Sequence, residues 1–365
     1  MSRLFETTTI KNLEMNNRFV RSATWLGMAG QDGACTPRLI DTMTGLAQGG
    51  VGLILTGYAY VLPGGQSVPW QMGCCDDRLL PGLSKMTESV HKAGGKIILQ
   101  IGHGGVFSSA ELTGKEVLGP SAMPTEQGPL GRAMSEGEIE DTVDAFAAAA
   151  ARAVKAGFDG VQIHAAHGYL LSQFLSPFFN HRSDAHGGTL ENRARMLIQV
   201  VERVRDVVSD AYPVFVKVNS EDRLEGGLGN VEMLAVCAML EQAGVDAIEL
   251  SGGTILGLVM NDPAISFSPV GSDGMYWQTA AKQYKKRIGV PLILVGGVRS
   301  CEAAEASVEN GVADYVSLCR PLIREPDLVR RWQAGDRTKA DCISDNACIM
   351  AGIQGKGVHC PHLNA

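Results

Sequence analysis

Short runs of Val, Ile and Leu recur along the chain, each followed by a longer stretch in which apolar residues return every three or four positions. Eight runs read as strands: residues 19–24, 52–58, 96–101, 160–165, 214–219, 247–251, 291–296 and 315–319. Several are continuously apolar rather than alternating, the pattern of strands buried on both faces in a parallel sheet. The stretches between them carry helix signals. Ser135-Glu136-Gly137-Glu138 fits a capping box, followed by an Ala-rich run to Lys155 and a stop at Gly157. Residues 190–208 place apolar positions at helical spacing between charges. Residues 231–242 stop at Gly244, and residues 301–309 at Gly311. Eight strand–helix repeats with Gly-rich strand exits predict an α/β protein, a single (β/α)8 TIM barrel over residues 17–335. An N-terminal capping segment precedes it. The Gly- and Pro-rich segment 107–132 is too long for an ordinary connection and predicts an insertion after the third strand. No compositional break divides residues 1–365, so one domain is expected, ending in a short Cys-containing tail, 336–365.

Composition narrows the classes. The 365 residues are 45% hydrophobic and 19% charged, which suits a globular chain with a large core and excludes disorder, collagen and coiled coil for the whole. A net charge of −7 argues against sequence-independent nucleic-acid binding. The longest apolar runs are strand-sized, so no membrane span is expected. The N-terminus shows no basic-then-apolar leader, and a cytoplasmic location is expected. Nine cysteines, an odd number in a chain this long, read as reduced thiols.

In a barrel of this kind the strand exits build the active site. Read in order they are Thr24-Trp25, Gly57-Tyr58, Gln100, His164, Lys217, Ser251-Gly252, Gly296-Gly297 and Cys319-Arg320. The Gly296-Gly297 pair leaves a strand and enters a helix, where backbone N–H groups can approach a phosphate. Arg320, at the next exit, offers a bidentate guanidinium. A Gly pair alone reads equally well as turn chemistry. His164 and His167, three apart at the fourth exit, share one side if the chain curls there. They can ligate a metal or donate hydrogen bonds to one oxygen. A metal wants a third ligand, and no carboxylate sits at an obvious ligand position at an adjacent exit, which leaves Asp222 and Glu249 as the candidates.

Beyond these single exits, longer motifs carry a resemblance. His164-x-x-His167-Gly168-Tyr169-Leu170, Phe174-Leu175-Ser176-Pro177, Asn180-His181-Arg182-Ser183-Asp184 and Gly187-Gly188-Thr189-x-Glu191-Asn192-Arg193 together resemble the old yellow enzyme family of FMN-dependent oxidoreductases. Asn17-Arg18-Phe19-Val20, Gly50-Val51-Gly52-Leu53-Ile54, Gln100-Ile101-x-His103-x-Gly105, Gly296-Gly297 and Arg320-Pro321 extend the likeness over nearly the whole chain. It implies FMN over the barrel mouth, NADH or NADPH as reductant and a small-molecule activated alkene as substrate. The cofactor contacts it implies fall on Ala23, Thr24, Trp25, Gly57, Tyr58, Gln100, His164, Lys217, Ser251, Gly252, Gly296, Gly297, Cys319 and Arg320. Gln100 meets the flavin pyrimidine edge. Lys217, where Arg is commoner, places positive charge near N1 and the C2 carbonyl. His164 and His167 grip the substrate oxygen beside Trp25, hydride passes to the β-carbon, and Tyr169 protonates the α-carbon. A homo-oligomer is expected.

Three positions depart from the pattern: Trp25 at the first exit, Gly27 where several members carry Tyr, and His186 before Gly187-Gly188. They bear on the substrate. His103 reads as a turn partner, and Arg182, Asp184 and Arg193 as one buried ion-pair network. Tyr58, Trp70, Phe267 and Trp277 line the mouth or pack between loops. Three other readings stand beside the ene-reductase, the plainest being a barrel that binds FMN without turnover. A second is a metal-dependent barrel hydrolase using His164 and His167. The third is the flavin subunit of a larger dehydrogenase or dienoyl-CoA-reductase-like complex, whose dinucleotide-binding domain a separate partner would supply. In the tail, Cys342, Cys348 and Cys360 resemble the run that holds a [4Fe–4S] centre in some members, but Asp345 replaces the fourth thiolate. A carboxylate is a hard ligand for a soft centre, and the expectation is no metal.

Overall fold

Eight parallel strands close on themselves in the computed structural model, which describes residues 2–126, 128–270 and 274–364. They are β1 (Phe19–Arg21), β2 (Leu53–Leu55), β3 (Ile97–Gly102), β4 (Gly160–Ala165), β5 (Val214–Asn219), β6 (Ala247–Ser251), β7 (Leu292–Val295) and β8 (Tyr315–Leu318). Each pairs with the next, and β8 pairs back onto β1, so the sheet has no open edge at this level. The first two strands are shorter than their apolar runs predict. Beyond Arg21 the chain leaves the ladder, and beyond Leu55 pairing lapses until Ala59–Tyr60 rejoins β3 at Ile101-Gly102.

Along each strand, alternate residues point into the barrel. Val20, Leu53, Ile98, Phe215, Ala247, Ile293 and Tyr315 fill its lower part with apolar side chains. A hairpin of Thr8–Ile10 and Leu13–Met15 supplies Ile10, Leu13 and Met15 to the same cluster and plugs the bottom. This is the capping segment expected from the sequence. Outward-facing strand residues pack against helices that include α1 (Pro37–Gln48), α2 (Leu80–Lys92), α3 (Glu136–Lys155), α4 (Leu190–Val207) and α5 (Asn230–Gln242). In α3, Ser135 Oγ accepts from Glu138 N, and the Glu138 carboxylate accepts from Ser135 N: the capping box is formed.

The segment 107–132, in which Gln127 lies outside the described residues, carries a short helix, Ala110–Thr113. Its ends are held by pairing of Leu118–Gly119 with Arg132–Ala133. Arg182 anchors it, with η1 donating to the carbonyls of Pro120 (3.1 Å) and Met134 (2.6 Å) while the guanidinium grips Asp184. The expected single network is in fact two: Arg193 pairs with Glu232 on α5 and the Leu175 carbonyl. Among the described residues no helix is long and apolar enough to cross a membrane.

Candidate active site

Above the apolar floor the inward-facing positions turn polar. Lys217 on β5 lies in register with His164 on β4 and Glu249 on β6, and Gln100 on β3 with Gln162 on β4. All five are buried. Gln100 Nε2 donates to Gln162 Oε1 at 2.7 Å. Lys217 Nζ donates to Ser22 Oγ at 2.9 Å and lies 3.3 Å from Glu249 Oε2. Two of the predicted cofactor residues, Gln100 and Lys217, thus rise from one buried layer.

At the mouth, His164, His167, Tyr169 and Tyr58 form one cluster. Ring centroids of His164 lie 5.4 Å from His167, 5.2 Å from Tyr169 and 5.4 Å from Tyr58; Tyr58 and Tyr169 are 4.9 Å apart. The exit curl that brings the histidines together is real: His167 takes φ 65°, and its N–H donates to Asn219 Oδ1 at 3.0 Å. Its Nε2 is 2.7 Å from Ser251 Oγ, and Phe267 stacks on the ring at 4.7 Å. Burial, and then the charge of Lys217, holds both imidazoles well below the usual histidine range, so they are neutral at pH 7. Burial, and then Tyr58, pushes the Tyr169 phenol well above its usual value, so it keeps its proton. The Tyr58 hydroxyl donates to Ser67 Oγ at 2.7 Å.

His103 is a turn partner. Its Nδ1 accepts from Gly105 N at 3.0 Å, and burial lowers its pKa to about 4. Asp222 is held by Asn219 Nδ2 and Leu228 N, both at 2.8 Å. Among the described residues no three His, Cys, Asp or Glu side chains are grouped to hold a metal ion.

Gly296 and Gly297 have φ of 119° and 80°, a conformation that favours glycine. A Cβ on Gly297 would fall 1.6 Å from the Gly274 carbonyl oxygen, and one on Gly296 2.8 Å from the Tyr276 ring. Trp277 crosses beside them, with the Arg223 guanidinium 4.4 Å above its ring. At the eighth exit the structure differs from expectation. The Arg320 guanidinium does not stand free for a phosphate. Its Nη1 donates to the Pro269 and Ser344 carbonyls (3.1 Å each) and Asn346 Oδ1 (2.9 Å), and its Nη2 to the Tyr276 hydroxyl (3.1 Å). The tail crosses this exit and offers two of those acceptors, Ser344 and Asn346, while Pro269 and Tyr276 belong to the segment between β6 and β7, so the Arg320 side chain clamps tail to barrel. Cys319 Sγ lies 3.1 Å from Thr24 Oγ1, and the Gly57 backbone passes so close to Thr24 that a Cβ would meet its carbonyl at 2.5 Å. Trp25 donates from Nε1 to the Pro69 carbonyl at 3.1 Å, and its ring packs against Gly27 and Gly352. It ties the first exit to the tail. Ala23 follows in the same exit, and Gly252 leaves β6 against Trp277.

These residues fit a flavin. Among the described residues His164 Nδ1 is buried without a hydrogen-bond partner, and a ligand atom at the mouth would satisfy it. Buried cationic and amide side chains reach the same mouth, and the side-chain-free backbone of two glycines lies at its rim. Sequence reading missed Gln162, Ser22 and Ser317 as members of the layer below. The available signal was polarity inside apolar strands, as in Gln162 of Gly160–Ala165.

The tail does not complete a four-thiolate site. Cys342, Cys348 and Cys360 line a cavity of about 180 Å³ with Asp345, Arg324 and His362. Asp345 is committed elsewhere, to His362 Nε2 at 2.7 Å and Ala347 N at 3.1 Å. Burial raises its carboxyl, but the hydrogen bonds from His362 and Ala347 and the charge of His362 together outweigh this and hold it below the usual range.

Residues 3–339 match the model of the NADH:flavin oxidoreductase / NADH oxidase family. The chain is 34% identical over 353 residues to an NADH oxidase of Thermoanaerobacter brockii, covering 96% of this chain and 54% of that protein. It is 34% identical over 331 residues to an NADPH dehydrogenase of Bacillus subtilis strain 168, covering 90% and 93%. The structure of an old yellow enzyme homologue from Zymomonas mobilis superposes with a TM-score of 0.79 at 27% identity, covering 98% and 97%. This chain spans about half the length of the NADH oxidase and nearly all of the other two.

Proposed function

The chain belongs to the NADH:flavin oxidoreductase / NADH oxidase family, and we propose that it is an FMN-dependent oxidoreductase linked to NAD(P)H that reduces the C=C bond of a small activated alkene of the enone or enoate type. The observation that carries this reading is the pair of neutral imidazoles, His164 with an unpartnered buried Nδ1, packed against a protonated Tyr169.

Bound over the mouth, FMN would supply hydride transfer between NADH or NADPH and the alkene β-carbon. The protein supplies the rest. Gln100, Lys217 and the backbone at Gly296-Gly297 and Cys319-Arg320 hold the cofactor, with Ala23, Thr24, Trp25, Gly57, Tyr58, Ser251 and Gly252 around it. Neutral His164 and His167 donate hydrogen bonds to the conjugated oxygen, where negative charge grows as hydride arrives. Ser251 orients the His167 ring through Nε2. Tyr169 gives its proton to the α-carbon, so hydride and proton together saturate the bond. Tyr58 and Phe267 wall the pocket with apolar surface and exclude water.

Tyr169→Phe tests the proton step. Reduction by NAD(P)H keeps its parental rate, and re-oxidation by an enone slows about 10²–10⁴-fold, the usual worth of a positioned acid. Equal rates in both half-reactions would reject the role. One observation favours a second reading: the T. brockii relative is nearly twice as long, which fits a barrel working as the flavin unit of a larger assembly.

A further inference from the structure

Glu249 is fully buried in the centre of the barrel. Its Oε1 accepts from Ser22 Oγ (2.7 Å) and Ser317 Oγ (2.9 Å). Its Oε2 accepts from Gln162 Nε2 (3.0 Å) and lies 3.3 Å from Lys217 Nζ. Gln162 in turn accepts from Gln100 Nε2 at 2.7 Å, and Lys217 also donates to Ser22. One carboxylate therefore ties together groups from β3, β4, β5, β6 and β8 and from the residue after β1. A buried ion pair is a costly way to fill a barrel, since well-packed apolar side chains of similar volume are often as stable or more so. The layer immediately below is apolar and shows that this chain can build one. The side chains that the network joins to Glu249 include Lys217 and Gln100.

We propose that Glu249 is a positioning residue for the flavin site: its carboxylate holds the Lys217 ammonium directly and the Gln100 amide through Gln162, presenting both to the flavin pyrimidine edge as one preformed unit. The inference rests on the reading that FMN covers this mouth. Its physical content is a charge balance. Negative charge that develops at N1 and the C2 carbonyl is favoured by Lys217 and opposed by Glu249, and the pair keeps the two locked together. If Lys217 is removed alone, an orphaned carboxylate remains under the site of developing charge. If both are removed, the layer is neutral.

Sulfite titration of the oxidised holoenzyme reads this without turnover. The sulfur lone pair forms a bond to flavin N5, no co-reactant is needed, and the added negative charge settles on the pyrimidine side. At pH 8.5, Lys217→Met weakens sulfite binding by about 10²-fold or more, as removal of an electrostatic partner does. Lys217→Met with Glu249→Gln regains at least about tenfold of that loss, because the uncompensated charge is gone. A double variant that binds sulfite as weakly as Lys217→Met, or more weakly, would overturn the proposal. Gln162→Met is the second arm and spares the ion pair. The dissociation constant of FMN from the apoprotein rises about tenfold as Gln100 loses its anchor, and an unchanged constant also overturns the proposal. Parental protein that neither retains nor rebinds FMN would sink the flavin reading instead, so the two failures are distinct.

Discussion

In the proposed reaction His164 and His167 act as hydrogen-bond donors because of where they are held. Burial and the nearby Lys217 charge keep both rings neutral, so each presents one N–H rather than a full charge. The sequence shows the pair and its spacing. It does not show that Ser251 takes Nε2 of one ring while Nδ1 of the other stays unpartnered, because that depends on contacts across strands far apart in the chain. The double variant His164→Ala/His167→Ala keeps its FMN and loses both phenol binding and enone reduction, each donor contributing about 10²–10³ in rate. Parental turnover by the double variant would refute the assignment. Arg320 carries the opposite lesson. Its position at the eighth exit is legible, but the direction of its guanidinium is set by acceptors on Ser344, Asn346 and Pro269, which no local pattern connects to it.

At the scale of elements, the helices follow their caps. Ser135 and Glu138 close the start of α3 as their spacing predicts, and Thr189 caps α4 through Asn192 N. The strands follow their apolar runs except at β1 and β2, where the runs continue past the ladder into mouth segments that pack on Trp25 and Tyr58. Burial continues at Ser22, Thr56 and Tyr58, while regular pairing lapses until Ala59-Tyr60 joins β3. The tail is the element whose chemistry departs from its motif. Asp345 is bonded to His362, and burial together with neighbouring cysteines pushes the Cys348 thiol up to about 12. Anaerobically purified protein is therefore expected to contain flavin without stoichiometric iron, labile sulfide or zinc. About four irons per chain by metal analysis would contradict this, and about one zinc would replace it with a structural site.

For the whole molecule, closure of eight parallel strands turns an otherwise apolar interior into two levels. The hairpin-plugged floor supplies stability. The polar layer around Glu249 and Lys217 carries the mouth above it. The barrel itself was legible from eight apolar runs and their helices, since burial on both faces leaves a strong local signature. The polar layer was legible only in part, because it is assembled from one residue per strand, and period-two alternation is too short a signal in strands of three to six residues. What the layer and the mouth are for comes down to one claim, that this barrel carries FMN and passes hydride from NAD(P)H to an activated alkene. The direct measurement is anaerobic: the visible flavin band of purified protein is followed as NADPH or NADH, then 2-cyclohexenone, is added. The account predicts one FMN per chain, bleaching by the nicotinamide, and recovery of the band with one cyclohexanone formed per flavin. A protein without flavin, or a bleached flavin that the enone leaves reduced, would contradict it.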